Sequence, residues 1–161
     1  MVSGATTTIH ASTVLVGARA VLIRGPAGAG KSRLALALIG AAASGLVPFA
    51  RLVADDRTEV AARHGRLLAR APDQLAGLIE VRGLGIRRLP HEPIAVVDLV
   101  VDLAAADAER LPEPSGRTTT LSGVQLARLA VAPGAEPLPI VLAARISAAE
   151  PPIRDIADPS K

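Results

Sequence analysis

The chain has 161 residues, half of them hydrophobic, with a single Phe as its only aromatic residue, no cysteine and a formal net charge of +3. This length suits one compact domain, residues 1–161 with a core over about 10–147, whose interior must be filled by Val, Leu, Ile and Ala. Scarce aromatics remove the stacking platforms of a single-strand binder, scattered basic residues give no track for a nucleic-acid backbone, and the lack of cysteine excludes disulfide and thiolate-metal frameworks.

The start MVSGATTTIHAST lacks the basic head and apolar stretch of a signal peptide, so a cytoplasmic location is expected. Both ends, up to Thr8 and after Pro151, read as loosely held. Ala20-Val-Leu-Ile23 is a short apolar run ending at Arg24-Gly25, which predicts a buried strand running into a glycine-rich turn. After Lys31-Ser32, the segment Arg33 to Ile39 predicts a helix closing near Gly40 or Gly45. Arg51-Leu-Val-Ala54 predicts a second core strand that delivers Asp55-Asp56 at its carboxyl end. Thr58 to Arg63 and Arg66 to Ala71 flank His64-Gly65, a two-residue hairpin turn. Pro72 to Leu78 reads as a short helix with proline in its first turn. In Ile79 to Ile86 two glycines imply a loop bent close to something else. Ile94 to Leu103 is a further strand, Leu111 to Gly116 a turn-rich connection and Leu138 to Ser147 a closing helix. The run from Pro93 to Leu103 is interrupted by Asp98 and Asp102 and falls short of a membrane span, so no membrane partner is expected.

Gly25-Pro26-Ala27-Gly28-Ala29-Gly30-Lys31-Ser32 has a glycine, four free positions and Gly-Lys-Ser, the pattern in which backbone N–H groups curl around nucleotide phosphates. Gly25, Gly28 and Gly30 allow close approach and positive φ, and the positive end of the following helix dipole faces the anion. Lys31 is placed to reach the β- and γ-phosphates and the Ser32 hydroxyl to ligate Mg²⁺. The only other lysine is Lys161, so a compact ammonium is kept where one fits between phosphates while arginine serves elsewhere.

Phosphoryl transfer also needs carboxylates near the metal and an acceptor for the nucleophile's proton. Asp55-Asp56 is the candidate pair, one carboxylate for the site and the other for structure, against the alternative of a solvated turn or helix cap. Glu80 and Arg82, beside Gly83 and Gly85 in an otherwise apolar segment, are candidates for a metal-facing carboxylate and a phosphate-facing guanidinium. His10 can orient or share a proton, or be an ordinary histidine near a terminus.

The order of His10-Ala-Ser-Thr-Val-Leu-Val16, the phosphate loop, Arg51-Leu-Val-Ala-Asp-Asp56 and Ile79-Glu-Val-Arg-Gly-Leu-Gly85 resembles the carboxy-terminal catalytic domain of the HPr kinase/phosphorylase family, over roughly His10 to Arg145. The resemblance implies an α/β P-loop kinase domain, similar in fold to phosphoenolpyruvate carboxykinase. It further implies an ATP- and Mg²⁺-dependent kinase that phosphorylates a serine of the phosphocarrier HPr of the sugar phosphotransferase system, and that can reverse the reaction by phosphorolysis. By the same similarity Asp56 accepts and returns the serine proton, Ser32 and Glu80 hold Mg²⁺, and His10, Lys31 and Arg110, the last through Glu109-Arg-Leu111, match other catalytic positions. The signature stretch from Ile79 to Arg88 would shape both reactions, and full-length family members assemble as hexamers. The chain begins almost at the catalytic domain, as the short forms do. Near Val131-Ala-Pro-Gly-Ala135 alanines stand where the family's Pro-Gly motif is flanked by arginines, which is expected to weaken binding of phosphate or of an acidic partner. The rival reading is a nucleotide-sensing regulatory module that partners a sensor kinase without turnover; a third is a kinase for a small molecule or another protein.

Overall fold

The computed structural model describes residues 4–147. In chain order its elements are β1 (Thr7–Ile9), β2 (Ala11–Val16), β3 (Arg19–Arg24), α1 (Lys31–Ala43), β4 (Ala50–Ala54), β5 (Thr58–Arg63), β6 (Arg66–Arg70), β7 (Leu78–Val81), β8 (Gly85–Arg88), β9 (Ala95–Asp102), β10 (Thr118–Leu121), β11 (Val124–Ala130) and α2 (Pro137–Ile146). A mixed sheet runs β1-β5-β6-β9-β3-β2-β4, with β11 pairing parallel to the last residues of β9 and β10 beside it. The hairpin β7-β8 stands apart as a two-stranded ribbon. Among the described residues no helix is long and apolar enough to cross a membrane.

The sheet buries both faces in different ways. On one, Val14, Val16, Val21, Ile23, Leu52 and Val101 pack under Leu34, Ala35, Leu38 and Ala41 of α1 and Val141 of α2. The α1 residues recur at helical spacing, so one stripe of the helix meets the sheet. On the other face Leu22, Val53, Val60, Leu67, Val97 and Val100 cluster from strands alone, because the sheet folds over on itself. Leu22, Leu38 and Leu52 are fully buried, each stabilising the fold by about 2 kcal/mol.

Strand direction gathers the site. Because β2 is antiparallel to both β3 and β4, these two run parallel with β2 between them. The carboxyl ends of β3 and β4 and the amino end of β2 therefore meet on one edge of the sheet. The same edge receives the end of β9, where Asp102 lies opposite Arg24. A bulge then sets the aim of β4. Thr13 pairs with Ala54 but Val14 pairs with Leu52, so Val53 is an extra residue. One inserted residue reverses the alternation of side chains beyond it, which turns Asp55 toward the face that carries α1.

Most expected elements are present, and the differences have local causes. His64 and Gly65 have φ of 51° and 74°, the two positive values a two-residue hairpin turn of the primed type requires. The helix expected over Pro72 to Leu78 is only a single 3-10 turn at Asp73–Leu75, since Gly77 at φ 77° sends the chain into β7. The loop expected over Ile79 to Ile86 is the β7-β8 hairpin, and a side chain at Gly83 or Gly85 would meet open space. Those glycines serve positive φ, 88° and 87°, rather than close approach. Thr7 and Thr8, read as part of a loose end, pair with Val60 and Glu59. The expectation for the segment after Pro151 lies outside the described residues.

Candidate active site

The phosphate loop links β3 to α1 on the shared edge. Gly28 and Gly30 take φ of 80° and 98°, and Gly30 caps α1 with no side-chain bond and no acidic residue in the first turn. The first amides of α1 are thus left to an anion, with nothing negative to oppose one. Lys31 is 7% exposed and folds back so that Nζ donates to the carbonyls of Gly25 (2.9 Å) and Pro26 (3.2 Å). The ammonium sits at the mouth of its own loop. Gly25 is needed there for space, because a Cβ would lie 3.0 Å from Leu103 Cβ and 3.2 Å from its carbonyl oxygen.

Asp55 is the hub beside the loop. Its Oδ1 accepts from Ser32 Oγ at 2.6 Å and from Ser12 Oγ at 2.7 Å, and its Oδ2 accepts from the Glu80 N–H at 3.1 Å. Three donors hold a carboxylate that is only 7% exposed, which satisfies a charge that would be costly if buried alone. Ser32 of α1, Asp55 after β4 and Glu80 of β7 are joined by these bonds, and the Glu80 side chain is exposed. Hydroxyl and carboxylate oxygens of this kind fit Mg²⁺, a hard cation commonly held by one or two carboxylates with substrate phosphates completing its shell. Among the described residues no cluster of three or more His, Cys, Asp or Glu forms a metal cage.

Asp56 faces the other way. Its φ is 67° and the Arg57 N–H donates across it to the Asp55 carbonyl at 2.7 Å, a tight three-residue turn that non-glycine residues rarely adopt. The turn presents the Asp56 carboxylate outward, where it meets His10 Nε2 at 2.5 Å, both side chains being more than half exposed. An exposed pair of this kind contributes little to stability. An imidazole fixes one carboxylate oxygen at the rim of the site, and among the described residues the other has no hydrogen bond.

A charged lattice underpins the same edge. Arg24 donates Nε and Nη2 to the two oxygens of Asp102 at 2.7 and 2.9 Å, and Arg128 joins Asp102 (2.5 Å) to Asp107 (2.8 and 3.0 Å). Burial works against the charge on Asp102, yet the hydrogen bonds from Arg24 and Arg128 outweigh it and hold the carboxyl below the usual carboxylate range. Arg128 also donates to the Gly116 carbonyl, so it pins both sides of the connection that carries Arg110. Arg110 itself is exposed there, and among the described residues it has no hydrogen bond to the loop or to Asp56.

His10, the loop Gly25–Ser32, Asp55, Asp56 and Glu80 are thus brought together, whereas Arg82, Gly83 and Gly85 lie at the exposed tip of the β7-β8 hairpin. Sequence reasoning missed Ser12, Arg24 and Arg128, and gave Asp102 no role. The available signal was a Ser-Thr pair inside an apolar strand and charged residues closing two otherwise apolar runs.

Fold and site together define an α/β domain of the P-loop class. Residues 3–147 match the family model described as HPr Serine kinase C-terminal domain. Similar proteins include the HPr kinase/phosphorylase of Geobacillus thermodenitrificans (strain NG80-2), 37% identical over an alignment of 116 residues that covers 65% of this chain and 34% of that protein. That of Limosilactobacillus reuteri (strain DSM 20016) is 33% identical over an alignment of 135 residues that covers 76% of this chain and 40% of that protein. Among solved structures, the HPr(Ser) kinase/phosphatase from Coxiella burnetii aligns with a TM-score of 0.67 at 26% identity, covering 84% of this chain and 91% of that one. The chain belongs to the HPr Serine kinase C-terminal domain family. It spans a minor part, 34% and 40%, of the length of these two curated relatives.

Proposed function

We propose that the chain acts as a kinase domain that moves the γ-phosphoryl group of ATP, with Mg²⁺, to a serine of the phosphocarrier HPr. The carrying observation is the adjacency of two differently placed carboxylates, Asp55 tied to Ser32 of the phosphate loop and Asp56 turned outward against His10. In this reading the loop amides and Lys31 grip the phosphates, and Ser32, Asp55 and Glu80 hold the metal. Mg²⁺, when bound, neutralises charge on the phosphates. Asp56 takes the proton from the serine hydroxyl as the serine oxygen bonds to the γ-phosphorus and the bond to the β-phosphate oxygen breaks, releasing ADP. His10 fixes the Asp56 carboxylate, and Arg110 or Arg82, each exposed on a segment that among the described residues makes no bond to the loop, is the candidate for positive charge toward the transferring group. A cytoplasmic location and a hexameric assembly belong to the same proposal, supported by the family resemblance.

Ala132 and Ala135 bound an exposed turn that closes at Gly134 and leads to α2, with Glu136 beside Arg33 of the first turn of α1. Two cations are thus missing close to the phosphate loop, so we assign the chain mainly to the kinase direction and expect phosphorolysis to be weak. The test is purified protein with labelled ATP, magnesium and HPr, followed by inorganic phosphate and detection of pyrophosphate. Asp56→Asn is expected to abolish transfer while nucleotide affinity stays within about twofold, because it removes the base and leaves the phosphate grip intact. Transfer by that variant at near the unmodified rate would sink the assignment of the base. ATP binding with no transfer by the unmodified protein would instead favour a sensing module.

A further inference from the structure

We propose that Ser12 is a positioning residue that locks the two carboxylates of the site into one unit, an inference that rests on the kinase reading for its kinetic consequence. Ser12 is fully buried and its hydroxyl has two partners. Oγ donates to Asp55 Oδ1 at 2.7 Å and accepts from the Asp56 N–H at 3.2 Å. A serine hydroxyl has one donor and two acceptor sites, so a single group can serve both aspartates at once.

The arrangement follows from strand placement. Ser12 sits between Ala11 and Thr13, which belong to the opposite face of β2, where Thr13 and Thr58 bond to each other at 3.0 Å and Thr58 donates to the Ala11 carbonyl at 2.9 Å. The Thr13-Thr58 pair anchors β2 to the start of β5, so both ends of the segment from Asp55 to Thr58 are tied to β2. Between those ties Asp56 adopts the left-handed conformation that L residues resist. Such a conformation persists where its surroundings over-determine it. Ser12 supplies the internal acceptor for the Asp56 amide, which the turn bond from Arg57 to Asp55 does not use.

The same hydroxyl shares Asp55 Oδ1 with Ser32. Any shift of the loop serine that drags Asp55 is passed through Ser12 to the Asp56 backbone. Ser12 therefore fixes the spacing between the metal-side carboxylate and the proton acceptor without itself touching substrate.

Ser12→Ala removes the oxygen at nearly constant shape, and Ser12→Thr restores it. For Ser12→Ala we expect kcat for transfer to HPr to fall by about tenfold with KM for ATP within about twofold, the pattern of an interaction that acts in the transition state. Ser12→Thr is expected to recover most of the rate even where its added methyl lowers the melting temperature. A purely structural role would make kcat follow melting temperature across the two variants, and that result overturns the proposal, as does a rise in KM with kcat unchanged. Amide hydrogen exchange at Asp56 supplies a readout independent of activity. It should accelerate at least tenfold in Ser12→Ala while Val14 and Leu22 stay protected, and unchanged exchange at Asp56 overturns the coupling. Should the unmodified protein transfer nothing to HPr, the kinase reading falls and the exchange measurement alone decides the role of Ser12. If Ser12→Ala does not fold, Ser12→Cys, whose thiol is a weak acceptor, is measured in the same way.

Discussion

Lys31 is the clearest case of one residue whose type, burial and bonds point to one task. The chain has one other lysine, at its last position, and otherwise uses arginine. At Lys31 a side chain only 7% exposed ends between the carbonyls of Gly25 and Pro26, a space that suits a compact ammonium and crowds a planar guanidinium. Thermal unfolding with and without Mg-ATP measures its part. Nucleotide at about 100 times its dissociation constant stabilises a binding protein by about 2.7 kcal/mol, and we expect that shift to vanish in both Lys31→Met and Lys31→Arg. A full shift in Lys31→Met would remove the ammonium from the nucleotide site.

At the scale of elements, glycine separates the loop from the helix it feeds. Gly25 faces Leu103 so closely that an added Cβ must push the loop aside, and Gly25→Ala is expected to weaken ATP binding at least tenfold. Gly40, inside α1, is exposed and a Cβ there meets nothing within 4 Å. Gly40→Ala is therefore expected to stabilise the protein by about 0.5–1 kcal/mol, through the higher helix propensity of alanine, and to leave ATP affinity unchanged. Urea unfolding and nucleotide titration of the two variants check both statements. The contrast also explains what could be read in advance. The loop, β3, α1, β4 and the β5-β6 hairpin announced themselves by local pattern, and the pair Asp55-Asp56 by its place after a strand. The bulge at Val53 that aims Asp55, and the antiparallel course of β2 that brings Ser12 to the same edge, depend on pairing between segments distant in sequence. Local pattern carries no record of such pairing, and for that reason Pro72 to Leu78 read as a helix although Gly77 turns it into β7.

Across the whole molecule, the lattice of Arg24, Asp102, Arg128 and Asp107 ties together β3, β9, β11 and the connection bearing Arg110. Each of these parts reaches the edge where the phosphate loop lies, so the lattice holds the site's frame rather than its chemistry. Asp102 is its centre, 15% exposed and bonded by two arginines. With a folded-state pKa held below the ordinary value, its contribution is complete above the unfolded carboxylate pKa of about 3.9 and is lost as pH falls through the lower folded value. Stability of the unmodified protein should therefore decline below about pH 4. Asp102→Asn keeps the shape but removes the charge that answers two guanidinium groups, and is expected to cost about 2 kcal/mol at pH 7. Because the variant has already lost what acid would remove, its stability should vary less below pH 4, and the two curves should converge. Urea unfolding of both proteins from pH 7 to pH 2 tests this, and curves that stay parallel throughout would show that the acid sensitivity arises elsewhere.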